Sequence, residues 1–169
     1  MFQPWRLKLR EAEEALKSGR LDEAGELVSD MELQQYLPTK RLVSRIVGQL
    51  AKRGQQRVAQ GDTAAGWKDL DTAMRLQAED KQVDALRQDL VTAAIQEAET
   101  LLAAGEYEMA RARLDDLLQR QPVNSQASIL RQVVSKMLEA KQLARYGKLS
   151  VADTLLEEAA ALRKDLKVI

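Results

Sequence analysis

Apolar side chains recur at spacings of three and four residues along almost the whole chain, and runs that alternate with a period of two are scarce. One clear series is Leu86, Leu90, Ala94, Ala98 and Leu101. Because these spacings place side chains on one face of a helix, every extended segment is predicted to be helical. The pattern therefore predicts an all-α fold.

Four glycines interrupt the helical pattern at intervals of 42, 44 and 42 residues. They are Gly19, Gly61, Gly105 and Gly147. Each lies five residues before a small residue, which is alanine in three cases and Gly66 in the other. Glycine can leave a helix through the left-handed conformation without a steric conflict, so each of the four is predicted to form the turn of a helical hairpin.

This spacing predicts one helical-repeat domain over residues 1–169, an α-solenoid of about four hairpins and eight helices. The hairpins are predicted at about 4–36, 39–78, 80–120 and 124–164. Their first helices are predicted at about 4–18, 39–60, 80–104 and 124–146, and their second helices at about 21–36, 63–78, 107–120 and 149–164. Thr39 and either Asn124 or Ser125 are the predicted N-caps of two first helices. Pro38 and Pro122 are predicted to lie between helices.

The third hairpin resembles the tetratricopeptide repeat around its turn. The matching residues are Gly105, Tyr107, Ala110, Leu114, Leu117 and Pro122. The fourth hairpin keeps Gly147, Leu149, Ala152, Leu156 and Ala159, and the first keeps Gly19, Leu21, Ala24, Val28 and Met31. The second departs from the motif with Thr63 and Gly66, and the period is longer than the family's value of about 34 residues. The resemblance implies a right-handed stack of hairpins with a groove lined by the first helices.

Such a groove would hold a protein or peptide partner, and counting back from each turn glycine gives its candidate residues. They are Arg6, Glu13, Gln55, Thr92, Glu99, Met137, Lys141 and Arg145. The resemblance thus implies a protein-interaction scaffold. The alternative is a structural spacer or self-association module, which would make its contacts through the ends of the array, around Trp5 and residues 162–169.

Three further segments look like the helical N-terminal region of certain bacterial forkhead-associated-domain proteins. They are residues 5–16, residues 37–42 and residues 61–70. This resemblance implies a scaffold segment of a larger bacterial signalling protein. The phosphothreonine-reading domain of those proteins has no counterpart among these residues, so no phosphopeptide-binding residue is carried over.

The long first helices alternate in charge. From residue 33 to residue 61 there are six basic residues and no acid, whereas residues 79–108 are mainly acidic and residues 121–148 mainly basic. Arg41, Arg45 and Lys52 would lie within about 40° of one another on a helix. This basic stripe has two interpretations: it complements the acidic first helix that follows, or it binds a partner. Complementarity explains the alternation more economically; as a binding surface the stripe would hold phosphate or an acidic peptide, and nucleic acid is the less favoured partner.

The composition lacks the side chains that most catalytic and metal sites use. Histidine and cysteine are absent, so the commonest general base and the usual zinc and iron–sulfur ligands are missing. Residues 61–68 resemble a phosphate-binding loop only superficially, because Trp67 takes the lysine position. No catalytic residue, cofactor or metal site is predicted, and an enzyme is not expected.

Charge and hydropathy give little guidance on location. Lys plus Arg and Asp plus Glu both total 26, so no overall attraction to nucleic acid or to an anionic membrane is expected. No apolar run is long enough to cross a bilayer, and a cytoplasmic location is the default expectation.

The two tryptophans stay ambiguous. Trp67 is either a core residue beside a close helix crossing or an exposed anchor for a partner, and Trp5 lies where a neighbouring domain could cover it.

Overall fold

The computed structural model of the chain describes residues 4–29, 36–77 and 79–165. Within these residues there are eight α-helices and no strand. The helices are α1 (Pro4–Lys17), α2 (Leu21–Val28), α3 (Leu37–Ala59), α4 (Thr63–Leu76), α5 (Lys81–Ala103), α6 (Tyr107–Arg120), α7 (Ser125–Arg145) and α8 (Leu149–Asp165). They follow one another as four hairpins, each a first helix, a glycine turn and a second helix. The predicted all-α helical-repeat fold is therefore confirmed.

The chain divides into two compact units, Met1–Leu90 and Val91–Ile169. The N-terminal unit holds α1 to α4 and the first part of α5, and the C-terminal unit holds the rest of α5 with α6, α7 and α8. In the N-terminal unit α1 packs on α2, α2 on α3 and α3 on α4. In the C-terminal unit α6 packs on α7 and α7 on α8. These helices thus pack mainly on their neighbours along the chain, as in a repeat array.

The four hairpin turns share one backbone geometry. Gly19, Gly61, Gly105 and Gly147 have φ values of 74°, 82°, 78° and 76°. At the first turn the N–H of Gly19 donates to the Leu16 carbonyl at 3.1 Å and the N–H of Arg20 donates to the Ala15 carbonyl at 2.9 Å. The same pair of hydrogen bonds recurs at the other three glycines. This is the Schellman ending, in which a left-handed residue lets the last carbonyls of the helix find donors.

Three predicted features of the first loop region are wrong. Helix α2 ends at Val28 rather than near residue 36, and at this end the Ser29 hydroxyl donates to the Glu26 carbonyl at 2.7 Å. Helix α3 begins at Leu37 with Tyr36 as its N-cap, so Thr39 lies inside the first turn and is not the cap. Pro38, predicted to lie between helices, is also inside the first turn of α3, where its fixed φ suits a helix start.

The other predicted N-cap is confirmed. The side chain of Asn124 accepts a hydrogen bond from the Ala127 N–H at 2.8 Å at the start of α7. Asp62 does the same for α4, accepting from the Ala65 N–H at 3.1 Å. Both hydrogen bonds satisfy an N–H group that has no partner within its own helix.

The core of the N-terminal unit depends on close helix approach. Its largest fully buried side chains include Ile46, Leu50, Leu70 and Leu86. A Cβ at Gly54 would lie 2.6 Å from Leu86 Cδ2, so any larger residue there would require the Leu86 side chain to shift where α3 meets α5. Trp67 is buried in the same unit, with 8% of its surface exposed. The core interpretation of Trp67 is therefore confirmed, and the exposed-anchor interpretation is wrong.

The C-terminal unit has a plainer core of leucine, valine and alanine. Its fully buried side chains include Ala110, Leu114, Leu117, Leu130 and Val134. Ala110 is the small residue five positions after Gly105, and it is completely buried. A small side chain at that point lets the two helices of the hairpin approach closely.

Candidate interaction surfaces

A buried carboxylate organises the polar contacts of the N-terminal unit. Asp69 lies on the inward face of α4, in register with the buried residues Gly66, Leu70 and Ala73. Only 1% of its side chain is exposed. Burial of an unpaired carboxylate would be costly, so its partners decide whether this position is tolerated.

Two arginines from α3 satisfy Asp69. Arg53 Nε donates to both carboxylate oxygens at 3.1 Å, and Arg53 Nη2 donates to Oδ1 at 2.5 Å. Arg57 Nη1 donates to Asp69 Oδ2 at 2.9 Å and to the Ala65 carbonyl at 3.3 Å. The forked guanidinium of Arg53 thus binds the carboxylate through two of its nitrogens, the strongest form of this contact.

Arg53 also contacts the first hairpin. Arg53 Nη2 also donates to Asp22 Oδ1 in α2 at 2.7 Å. The hydrogen bond from Arg53 is the main reason that the pKa of Asp22 is lowered, and burial opposes it. Asp22, Arg53, Arg57 and Asp69 therefore form an electrically neutral network, here called the Asp69 network, that joins α2, α3 and α4.

The Asp69 network was not predicted, although the sequence contains a signal for it. Asp69 occupies an inward position of a helix whose other inward residues are apolar or glycine. Arg53 and Arg57 stand four residues apart on a helix that contains no acid. Basic residues one turn apart, together with an acid at an inward position, indicate a buried ion pair.

The alternating charges do not pair between neighbouring first helices where α3 meets α5. Among the residues that the structure describes, no ion pair joins these two helices, and the contact there is a hydrogen bond of 2.8 Å from Gln55 Nε2 to Asp89 Oδ2. The ion pairs instead join first helices to second helices. They include Arg53 with Asp69, Arg113 with Glu97, Arg131 with Asp115 and Lys136 with Glu158. Complementarity between α3 and α5 therefore does not account for the basic charge of α3.

The predicted basic stripe lies at the centre of the solvent face of α3. Arg41, Arg45 and Lys52 are all exposed, opposite the buried face that contains Ile46 and Leu50. Within the described part of the chain these three side chains have neither an ion pair nor a hydrogen-bond partner. The stripe is therefore positively charged and is not compensated by any described residue, whereas the other two arginines of α3 are neutralised by the Asp69 network.

A cavity of about 270 Å³ opens beside the N-terminal end of this stripe. It is lined by Lys40, Val43, Ser44, Leu76 and Gln77. The Ser44 hydroxyl and Gln77 Oε1 form a hydrogen bond of 3.2 Å at its wall. The cavity thus combines an apolar floor from Val43 and Leu76 with a basic rim.

A second cavity, of about 140 Å³, lies between α2 and α4. Its lining includes the acids Asp22 and Glu26 and the bases Lys68 and Arg75. Since the charges of its walls cancel, it favours neither an anion nor a cation. No group of three or more possible metal-ligating side chains occurs in residues 4–29, 36–77 and 79–165.

Seven of the eight predicted groove residues are exposed. Arg6, Glu13 and Gln55 are exposed in the N-terminal unit, and Thr92, Glu99, Lys141 and Arg145 are exposed in the C-terminal unit. Met137 is half-buried. No hydrogen bond or ion pair between described residues joins any two of the eight.

Two of the groove residues instead lie over aromatic rings. The Arg6 guanidinium is 5.3 Å from the centre of the Trp5 ring, and the Lys141 ammonium is 5.3 Å from the centre of the Tyr107 ring. Trp5 is half-buried and stacks on Tyr36, with 4.6 Å between the ring centres. Tyr36 therefore covers part of the Trp5 ring.

The last helix exposes several large apolar side chains. Leu149, Val151 and Leu156 of α8 are exposed, while Ala152 and Ala159 are buried. Of the predicted self-association residues at this end, Leu162 is half-buried, and residues 166–169 lie outside the described residues. Met31 of the first hairpin's repeat pattern also lies outside them.

Comparison with known proteins returns no relative: no family model, no curated protein and no solved structure matches the chain. The tetratricopeptide and forkhead-associated resemblances therefore stay predictions. Among the described residues, none of the eight helices has the length and apolar character needed to cross a bilayer.

Proposed function

We propose that this chain is a non-enzymatic protein-interaction scaffold that binds an acidic peptide segment of its partner on the basic face of α3. One observation carries the proposal: Arg41, Arg45 and Lys52 are exposed on one face and have no partner among the described residues. The proposal includes a cytoplasmic location and a place in a larger bacterial signalling protein, as the forkhead-associated resemblance implies.

The spacing of the three basic residues suits an extended peptide. Arg41 and Lys52 are separated by about 16 Å along the axis of α3, since a helix rises about 1.5 Å per residue. An extended chain covers that distance with about five residues. Three carboxylates on such a segment would meet three cations that pair with no described residue, and the encounter would be accelerated by their attraction.

The neighbouring cavity favours a peptide that also carries an apolar side chain. Val43 and Leu76 form its floor, and Lys40 stands at its rim. A peptide that carries an apolar residue beyond its acidic residues would bury that side chain in the cavity. Charge alone gives weak and salt-sensitive binding, so this buried anchor would supply much of the affinity.

The test uses a labelled probe peptide of five glutamates followed by leucine and phenylalanine, titrated with the whole chain in fluorescence anisotropy. The variant Arg41→Glu/Arg45→Glu should lower its affinity by about ten-fold or more. The variant Lys141→Glu/Arg145→Glu is the matched control, because it reverses two charges four residues apart on the solvent side of α7. It should bind as the wild type does.

Two results would contradict the proposal. Equal binding by the wild type and the α3 variant would show that the basic face of α3 is not the binding site. Loss of binding only in the α7 variant would indicate that the peptide binds the groove predicted from the sequence. A single-stranded oligonucleotide that binds more tightly than the peptide, with a steep dependence on salt concentration, would identify a nucleic-acid surface instead.

A further inference from the structure

The fourth hairpin exposes an apolar side chain at a position that the other three hairpins bury. This position is the ninth residue after each turn glycine. Val28, Leu70 and Leu114 are exposed there by 0%, 1% and 0%, whereas Leu156 is exposed by 41%. The same residue type at the same place in the repeat therefore has two different environments.

The cause is what packs against each second helix. Helix α3 packs on α2, and α7 packs on α6. Leu90 of α5 lies against Gly66 of α4, at 3.0 Å from where a Cβ would stand. Helix α8 has no described helix after it. Its side chains at these positions are therefore left facing solvent.

Three of the exposed apolar residues of α8 form one strip along the helix. Leu149, Leu156 and Ala160 are exposed and fall within about 40° of one another at 100° per residue. The second residue after the glycine shows the same contrast as the ninth: Leu21 is buried, and Leu149 is 63% exposed. The strip is thus the surface that a following hairpin would cover in an array of this kind.

Charges beside the strip are divided between its two ends. Asp153 and Glu157 lie in the first half of α8, and Arg163 and Lys164 lie near its end. All four are exposed, and none has an ion pair within the described part of the chain. A helix face that is acidic at one end and basic at the other is complementary to a second copy of itself laid antiparallel.

We propose that this strip, with its flanking charges, is the contact surface for a second copy of the chain in an antiparallel α8–α8 pair. The twofold axis would pass between residues 158 and 159, midway between Asp153 and Lys164. Asp153 would then face the partner subunit's Lys164, and the symmetric pair would form at the other end. Leu156 would lie within about 4 Å of the axis, measured along the helix.

The contact is expected to be weak, because one helix pair buries less than the roughly 1,600 Å² of a standard stable interface. Sedimentation velocity of the whole chain from micromolar to about 1 mM therefore covers the relevant range. The wild type should shift from monomer to dimer without larger species, since a twofold contact closes on itself.

Charge reversal gives the decisive variants. Asp153→Lys and Lys164→Asp should each lower the association constant by about ten-fold, and the double variant should restore it. Residues 153 and 164 are about 16 Å apart on one helix, so rescue reports a contact between two chains. Glu108→Lys, which reverses an exposed acid on α6, is the matched control and should leave association unchanged.

The apolar part is tested by Leu156→Ser, with Leu7→Ser on the exposed side of α1 as its control. Circular dichroism of every variant checks that the helices remain. A wild type that stays monomeric at about 1 mM, growth beyond dimers, or a double variant that associates no better than the single ones would each overturn the proposal. Loss of peptide binding in the α3 variant has no bearing on it, because the two surfaces share no residue.

Discussion

The second and fourth hairpins have the same turn geometry but differ in how far their second helices are buried. Both turn at a glycine with nearly the same φ, 82° at Gly61 and 76° at Gly147, and both bury the small residue five positions later. Nine positions after the glycine, Leu70 is buried and Leu156 is not. The difference teaches that the turn and its small residue set the hairpin locally, whereas the burial of its outer face depends on the next element.

The same two hairpins also differ in the charged side chains that they bury. The second hairpin buries a carboxylate and satisfies it with two arginines of its own first helix. At the equivalent position, the eighth after the glycine, the fourth hairpin has the half-buried Leu155. The second hairpin is thus held by a buried charged network, and the fourth by apolar contacts that are partly open to solvent together with the exposed Lys136–Glu158 ion pair.

The largest expected effect is the loss of the buried carboxylate. Asp69→Ala should lower the free energy of unfolding by about 3–5 kcal/mol, since it leaves two partly buried arginines without their shared partner. Urea denaturation followed by circular dichroism measures this. Asp116→Ala, at an exposed position on α6, is the control and should change stability by less than about 0.5 kcal/mol. A cost for Asp69→Ala below about 1 kcal/mol would show that the Asp69 network is not a major contributor.

The next effect tests the comparison directly by shortening the same residue in both hairpins. Leu70→Ala should cost about 3 kcal/mol, because it leaves a cavity in a closed core. Leu156→Ala should cost under about 1 kcal/mol at concentrations where the chain is monomeric, because much of the side chain is already in water. Similar costs for the two substitutions would mean that α8 is covered in solution in a way that this structure does not show.

Valine at the two turns should have a smaller effect that is equal in both hairpins. Gly61→Val and Gly147→Val should each cost about 2 kcal/mol, since a β-branched residue is strained at positive φ. A Cβ at either glycine would meet no atom within 4 Å, so crowding adds nothing to the cost. Thermal melting of the two variants checks the equality. A large difference between them would mean that the turns are not independent local units.

The smallest effect is a dependence of stability on acid. The pKa of Asp22 lies below its ordinary value of 3.8, mainly because of the hydrogen bond from Arg53. A lowered folded-state pKa adds stability above the unfolded-state value, and this stability is lost as the pH falls below about 3.8 through the folded-state pKa. Because Asp22 is mostly exposed, the loss is small. Asp22→Asn should flatten the stability profile below pH 4, and an unchanged profile would contradict this role.

The helices and turns could be predicted from the sequence because their signals are local. Gly105 and Tyr107, for example, mark a turn and a helix start within three residues. The Asp69 network was missed because its members are 16 and 12 residues apart along the chain, and helical periodicity carries no information about pairs between helices. The basic stripe was placed on α3 from helical angles, which show which residues share a face. The predicted groove residues were counted back from the turn glycines, and such a count fixes a position in the repeat without showing which side chains meet.

The neighbour-to-neighbour packing of the helices has a consequence for how the chain folds. Contacts that are short along the sequence close small loops, so folding should be fast and able to begin at any hairpin. The bond between Arg53 and Asp22 is an exception, since it spans 31 residues and joins two hairpins. Helices α2, α3 and α4 should therefore open as one cooperative unit, while α8 frays on its own at a much lower free energy.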